Sequence, residues 1–318
     1  EDAQTASGTI EVVSLMSVEG LHWIMTHIVT NFTGFAPLGT VLVALLGVSV
    51  AEHSGLLSTA MRALVLNAPR RLVTFIVVLS GILSNTASEL GYVVLIPLAA
   101  MIFHSLGRHP LAGLAAAFAG VSAGYSANLF LGTIDPLLAG ITTPAAQMID
   151  PNYVVGAESN HFFMIASTFV IAALGFFVTD RIVEPRLGHF DESKSTMVLD
   201  EKAMASPSAQ EMKAMKMAGL AFLGLCIVVA LAVVPEDGVL RNPETGGLKG
   251  SPFLKGIVVL IFVMFAIPGF VYGKVAGTMK NDRDVIEGMA RSMSSMGLYI
   301  ALVFFAAQFV AFFKYTNL

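Results

Sequence analysis

Charge is what this sequence has least of. Of its 318 residues only 13% are Asp, Glu, Lys or Arg, while 55% are hydrophobic and the mean hydropathy is +0.77. A soluble domain carries about 25% charged residues. Half that share cannot cover a globular surface, which argues against a soluble enzyme and for a polytopic membrane protein. Cysteine occurs once, at Cys226 inside an apolar run, so a disulfide framework and a cysteine-based metal site are both excluded. A basic patch is missing too, and with a net charge of −4 nothing points to nucleic acid. There is no P-loop, HExxH or GxSxG motif to support ATP-driven transport or common intramembrane hydrolysis. The chain opens at Glu1 without Met, signal peptide or lipidation motif and stops at Leu318 after an apolar run. The expectation is an internal piece of a longer protein.

What is present in abundance is apolar sequence. Spans of the roughly 20 residues needed to cross a bilayer are predicted at 39–51 with its continuation, 161–179, 217–234, 256–273 and 292–313. Two further stretches are too long. Residues 72–106 contain one acid, Glu89, and residues 111–149 contain one acid, Asp135. A straight helix over the first would be about 52 Å long at 1.5 Å per residue, against a hydrocarbon core of roughly 30 Å.

Loop charges say how the long stretches fold. Arg70 and Arg71 precede the first and Arg108 follows it, and Lys and Arg prefer the cytoplasmic side. Both ends of 72–106 are therefore expected on one side, which makes the segment a re-entrant helical hairpin tipped near Ser84-Asn85-Thr86-Ala87-Ser88-Glu89. The second stretch then crosses once, from Arg108 to Asp150, with a break near residues 128–136. The span 161–179 returns to Asp180, Arg181 and Arg186. A polar linker with Lys194, Lys202, Lys213 and Lys216 is expected on the cytoplasmic side. The predicted organisation is a first repeat over 1–190, a linker over 191–216, and helices over 217–318 leading into a truncated second repeat.

The word repeat rests on a short motif. Val18-Glu19-Gly20-Leu21 recurs as Ile286-Glu287-Gly288-Met289, and each copy opens an amphipathic stretch followed by an apolar span. By the loop charges the two spans run in opposite directions, as in the inverted repeats of secondary transporters. On that pattern the second hairpin, and half of the binding site, lie beyond Leu318.

Irregular backbone is tolerated in hydrocarbon only where protein or a watery cavity satisfies it. Ser84, Asn85, Thr86, Ser88 and Glu89 place hydroxyls, an amide and an acid at such a point. Neutral oxygens of this kind suit Na⁺, and half-helix N-termini suit an anionic substrate group. The bland reading is a polar kink that satisfies only itself. A second constellation holds Ser122, Gly124, Ser126, Asn128, Gly132, Thr133, Asp135, Pro136 and Gly140. Glycines and proline break the helix, while Asn128, Thr133 and Asp135 offer oxygens. An acid inside a span is a functional-site hypothesis by default, so Asp135 is the candidate for ion or proton coupling, against the alternative of an extramembrane Asp-Pro turn. Glu89 could equally pair within the protein or cap the second half-helix. Glu52, His53, His104, His22, Trp23 and His27 read as interfacial. Two other classes use the same residues: an intramembrane enzyme pairing Asp135 with Glu89, and a channel.

Two motifs carry a family resemblance: Ser84-Asn85-Thr86-Ala87-Ser88-Glu89-Leu90-Gly91-Tyr92, and the run Ser126-Ala127-Asn128-Leu129-Phe130-Leu131-Gly132-Thr133-Ile134-Asp135-Pro136 with its continuation to Thr142. In these the chain resembles the AbgT family of p-aminobenzoyl-glutamate transporters within the ion-transporter superfamily. The resemblance implies an all-α inverted-repeat secondary transporter of nine transmembrane helices and two hairpins. It implies a bowl-shaped homodimer in the bacterial inner membrane. It further implies transport of p-aminobenzoyl-glutamate, or export of sulfonamide antifolates, driven by a Na⁺ or H⁺ gradient without any other cofactor. Asp135 matches the family's functionally important acid in its broken helix. Na⁺, if used, is expected at Ser84, Asn85, Thr86 and Asn128, with the substrate as the small-molecule partner.

Overall fold

The computed structural model describes residues 12–87, 91–125, 127–132, 134–147, 149–150, 152–188, 190, 205–248 and 250–317. Every regular element among them is helical. Five apolar helical runs are long enough to cross a membrane: Val18–His53, His161–Leu187, Ala209–Val233, Ile257–Ala276 and Gly297–Thr316. Between them lie shorter apolar helices that build the interior.

The hairpin consists of α4 (Val73–Ser84), a 3-10 turn (Asn85–Ala87), a π-helical turn (Gly91–Leu95) and α5 (Ile96–Ser105). Its arms meet at the tip and are otherwise held by α6 (Pro110–Ala123), which packs against both. The reason is the small-residue face of α6. Ala112, Ala116 and Ala117 are fully buried. A Cβ at Gly113 would stand 2.5 Å from the Ala99 carbonyl oxygen, and one at Gly120 would stand 2.6 Å from that of Val78. Backbones this close exchange hydrophobic side-chain bulk for dispersion contact along the helix, as helix pairs in lipid do. The larger side chains Val77, Val78, Ile82, Leu95, Leu98 and Phe103 then close the main core around this helix.

Arg108, in the turn from α5 to α6, shows that the segment returns to where it began. Its guanidinium donates to the Thr74 hydroxyl at the start of α4 (2.8 Å) and to Asp180 (2.7 Å) and Glu184. The last two follow α8 (His161–Val178), which continues through a π-helical turn (Thr179–Val183) into Glu184–Leu187. Both ends of the hairpin and the end of α8 therefore share one side, as the loop charges require.

Past α6 the helix stops at Gly124 and resumes as α7 (Ile134–Gln147). The break therefore comes earlier than residues 128–136. It begins where a Cβ at Gly124 would fall 2.4 Å from Ile82. It ends before Pro136, which sits in the first turn of α7, where a missing N–H costs no hydrogen bond. The linker is also shorter than expected. Ser208 accepts from the Glu211 N–H while the Glu211 carboxylate accepts from the Ser208 N–H. This capping box starts α9 (Ala209–Val233) well before Lys216.

The remaining helices form a scaffold. They are α1 (Val18–Thr33), α2 (Ala36–His53), α3 (Leu56–Leu66), α10 (Ile257–Ala276), α11 (Asp282–Ser295) and α12 (Gly297–Thr316). Only Gly34 and Phe35 separate α1 from α2. Helix α2 crosses α10 closely, so that a Cβ at Gly47 would lie 2.5 Å from the Phe262 backbone and one at Gly269 would lie 2.6 Å from that of Ala51. The first copy of the short sequence motif opens α1 and the second lies one turn inside α11, and the packing of the two helices is exchanged. Helix α1 lies along α12, with Trp23 stacked on Tyr315 (centroids 4.3 Å apart) and Asn31 bonded to Gln308 (3.0 Å). Helix α11 lies along α2, with Gly288 against His53. Each of these two helices thus covers the span that follows the other, the exchange that a pseudo-two-fold axis would produce.

Candidate functional site

Hairpin tip and helix break are brought together by one side-chain bond. Asn128, in the break, donates from Nδ2 to Oγ1 of Thr86, at the tip, 42 residues away. Both side chains are buried. The Asn128 Oδ1 accepts from the Leu129 N–H (2.9 Å), which fixes the amide orientation. At the tip itself Ser84 Oγ donates to the Gly81 carbonyl (2.6 Å), and Asn85 Nδ2 donates to the carbonyls of Ile82 (3.0 Å) and Val121 (3.2 Å). Asn85 is thus the pin between the tip and the end of α6. The fold also requires glycine at 91, because a Cβ there would lie 2.0 Å from Ser84 Oγ.

Four sequence-predicted residues, Ser84, Asn85, Thr86 and Asn128, therefore converge. They offer neutral oxygens, the donor type a hard monovalent cation prefers over sulfur or imidazole. Among the described residues no group of three or more His, Cys, Asp or Glu is placed to hold a metal. Asp135 stands apart from the cavity at the tip. Its Oδ2 accepts from the Gly132 N–H (2.6 Å), so the acid at the start of α7 folds back on the break. Ser88, Glu89, Ser126 and Thr133 lie outside the described residues, and of Pro136 only the helical backbone is described.

Beside the tip is a cavity of about 530 Å³. Its walls come from α3, the end of α4, the break, α9 and α10, and its polar groups are Ser80, Ser84, Thr86, Asn128 and His161. The other lining residues are apolar, including Phe130, Phe222, Phe253 and Phe265. Ser80 was not singled out by the sequence. It is only 1% exposed, and its Oγ has no hydrogen-bond partner among the described residues. The available signal was its spacing, one helical turn before Ser84 on the same face. His161 was likewise missed, reading simply as the first residue of a span.

Comparison with known proteins agrees with this architecture. The model of the AbgT putative transporter family matches residues 1–318. The p-aminobenzoyl-glutamate transport protein of Escherichia coli (strain K12) is 38% identical over 309 residues, 97% of this chain and 60% of that protein. The structure of Neisseria gonorrhoeae MtrF, described as illuminating a class of antimetabolite efflux pumps, superposes with a TM-score of 0.91 at 60% identity, covering 100% of this chain and 63% of that one. The Alcanivorax borkumensis YdaH transporter, described as having an unusual topology, superposes with a TM-score of 0.89 at 46% identity, covering 96% and 63%. The chain thus spans about 60% of the length of these relatives. With a whole-chain family match, exchanged helix packing, a re-entrant hairpin and a broken helix, this chain belongs to the AbgT putative transporter family, whose members are multi-pass inner-membrane proteins.

Proposed function

We propose that this chain forms the first repeat, and the start of the second, of a homodimeric secondary transporter. It moves p-aminobenzoyl-glutamate or exports sulfonamide-type antimetabolites on an ion gradient, and it performs no catalysis. The observation that carries the reading is the Asn128–Thr86 bond, which couples two interruptions of membrane-embedded helix at the edge of a cavity. Broken segments meeting in this way are how transporters expose backbone dipoles to substrate and ion. The p-aminobenzoyl-glutamate transport of the Escherichia coli relative and the antimetabolite efflux of the class to which MtrF belongs support this choice of substrates.

Two couplings fit the residues. Na⁺ draws on oxygens of Ser84, Asn85, Thr86 and the carbonyls beside Asn128, and its binding stiffens tip and break together. H⁺ is carried by Asp135. Protonation removes the charge that strengthens the bond from the Gly132 N–H and loosens the start of α7. Substrate-bearing elements then move against the scaffold built on α2.

The test uses the full-length protein in liposomes, with labelled p-aminobenzoyl-glutamate and a sulfonamide followed under an imposed Na⁺ gradient and, separately, a pH gradient. Accumulation above equilibrium under one gradient is expected and names the ion. Flux that only follows the substrate gradient identifies a channel and overturns the proposal. If H⁺ is the coupling ion, Asp135→Asn abolishes accumulation while the protein keeps its elution volume and helicity. Wild-type accumulation by that variant removes Asp135 as proton carrier.

A further inference from the structure

We infer that the cavity beside the hairpin tip receives the neutral aminoaryl end of the substrate, with the hydroxyl of Ser80 as its polar contact; the inference rests on the transport reading above. Three observations lead there. The cavity, about 530 Å³, falls inside the roughly 300–1,000 Å³ range of small-molecule sites. Among the described residues its wall carries no Asp, Glu, Lys or Arg, and His161 is the one titratable side chain there. Taking a carboxylate out of water without a partner is strongly unfavourable, so the two carboxylates of a glutamyl group do not enter. An aromatic ring does, because the wall is aromatic. Phe130 of the break and Phe222 of α9 meet edge to face with centroids 6.3 Å apart and planes at 84°, and Phe253 and Phe265 continue the surface. A further ring adds offset or edge contacts to such a wall.

The third observation is Ser80. A buried hydroxyl without a partner is disfavoured unless something supplies one, and Ser80 Oγ is such a group on the wall of this cavity. A hydroxyl both donates and accepts, so an arylamine N–H or an aryl carbonyl satisfies it. Thr86, which accepts from Asn128, still has its own O–H to donate. The chemistry recognised is an uncharged ring with one or two hydrogen-bonding substituents. The 4-aminophenyl group is what p-aminobenzoyl-glutamate and a sulfanilamide-type sulfonamide have in common, so one pocket reading that group accounts for both. The carboxylates are left to residues outside this cavity.

The experiment is equilibrium binding of labelled p-aminobenzoyl-glutamate to the full-length protein in detergent, at fixed Na⁺ and pH, with competition by 4-aminobenzamide and by L-glutamate. Competition by 4-aminobenzamide is expected, and none by glutamate at the same concentration. Ala60→Trp, which fills the cavity from α3, is expected to weaken binding at least tenfold. Ser80→Ala is expected to weaken it about three- to tenfold, the worth of one hydrogen bond, and Ser80→Thr, which keeps the hydroxyl, to stay within twofold of wild type. Elution volume and helicity are recorded for each variant, and the Ser80 pair decides the matter should Ala60→Trp misfold. Unchanged binding in Ser80→Ala, or competition by glutamate but not by the arylamide, overturns the inference and leaves the transport reading standing. A folded wild-type protein that binds neither p-aminobenzoyl-glutamate nor a sulfonamide overturns both.

Discussion

Replacing Arg108 by Met is the most direct probe of how the hairpin is held. The methionine keeps an apolar stem over Phe103, whose ring the guanidinium covers at 4.1 Å, and removes only charge and donors. Asp180 and Glu184 are then left without their counter-ion. Their side chains are 30% and 23% exposed, and that of Arg108 is 21% exposed. Breaking a fully buried ion pair costs about 3–5 kcal/mol, while an exposed pair is worth about 0–1 kcal/mol. With roughly a quarter of each side chain in contact with solvent, screening discounts the first figure, and about 2 kcal/mol is expected. At about 2–4 °C per kcal/mol for a large domain, melting should fall by about 4–8 °C. The assay is thermal unfolding of the full-length protein by circular dichroism, with detergent and lipid held constant. Neutralising the stranded acids with Asp180→Asn and Glu184→Gln should recover at least half the loss. An Arg108→Met protein melting within 1 °C of wild type refutes the reasoning, as does a triple variant less stable than the single one.

Three further outcomes follow from the same structure. Gly120→Leu should sharply reduce folded yield by wedging α6 off the Val78 backbone, whereas Gly219→Leu, on an open face of α9, should be neutral in size-exclusion profiles. Thr86→Val leaves the buried Asn128 donor unpaired, costing about 1–3 kcal/mol, and should impair gradient-driven uptake while Thr86→Ser retains it. Asp284 accepts from the N–H groups of Lys280 (2.6 Å) and Asn281 (3.2 Å), and these bonds hold its carboxyl below the usual carboxylate range. Its contribution is therefore present above the unfolded Asp value of about 3.9 and lost as pH falls through the lower folded value. Asp284→Asn should melt earlier than wild type at pH 7, and the gap should close in acid.

The parts legible in the sequence were those that charge and backbone chemistry announce. Arg70, Arg71 and Arg108 gave away the hairpin because a bilayer penalises cations placed on the wrong side. Asn128, Gly132, Asp135 and Pro136 marked a break because glycine and proline interrupt a helix while Asn and Asp side chains satisfy the backbone groups so freed. The break's exact start was hidden, since Gly124 is dictated by contact with Ile82 on another helix. Ser80 was hidden for a related reason. A serine in an apolar helix is ordinarily satisfied by its own backbone, and only the tertiary structure shows that this one is not. The start of α9 at Ala209 could have been read from Ser208 and Glu211, whose capping spacing was obscured by the lysines around it.

The exchanged packing of α1 and α12 has a consequence for how the protein is made. Asn31 meets Gln308 across 277 residues of chain. At a synthesis rate of about 5–20 residues per second, the helix carrying Trp23 enters the membrane roughly 15–55 s before the helix it is built to cover has emerged from the ribosome. During that interval its partner face is held by lipid or by the insertion machinery. Completion of the scaffold is thereby tied to the synthesis of α12.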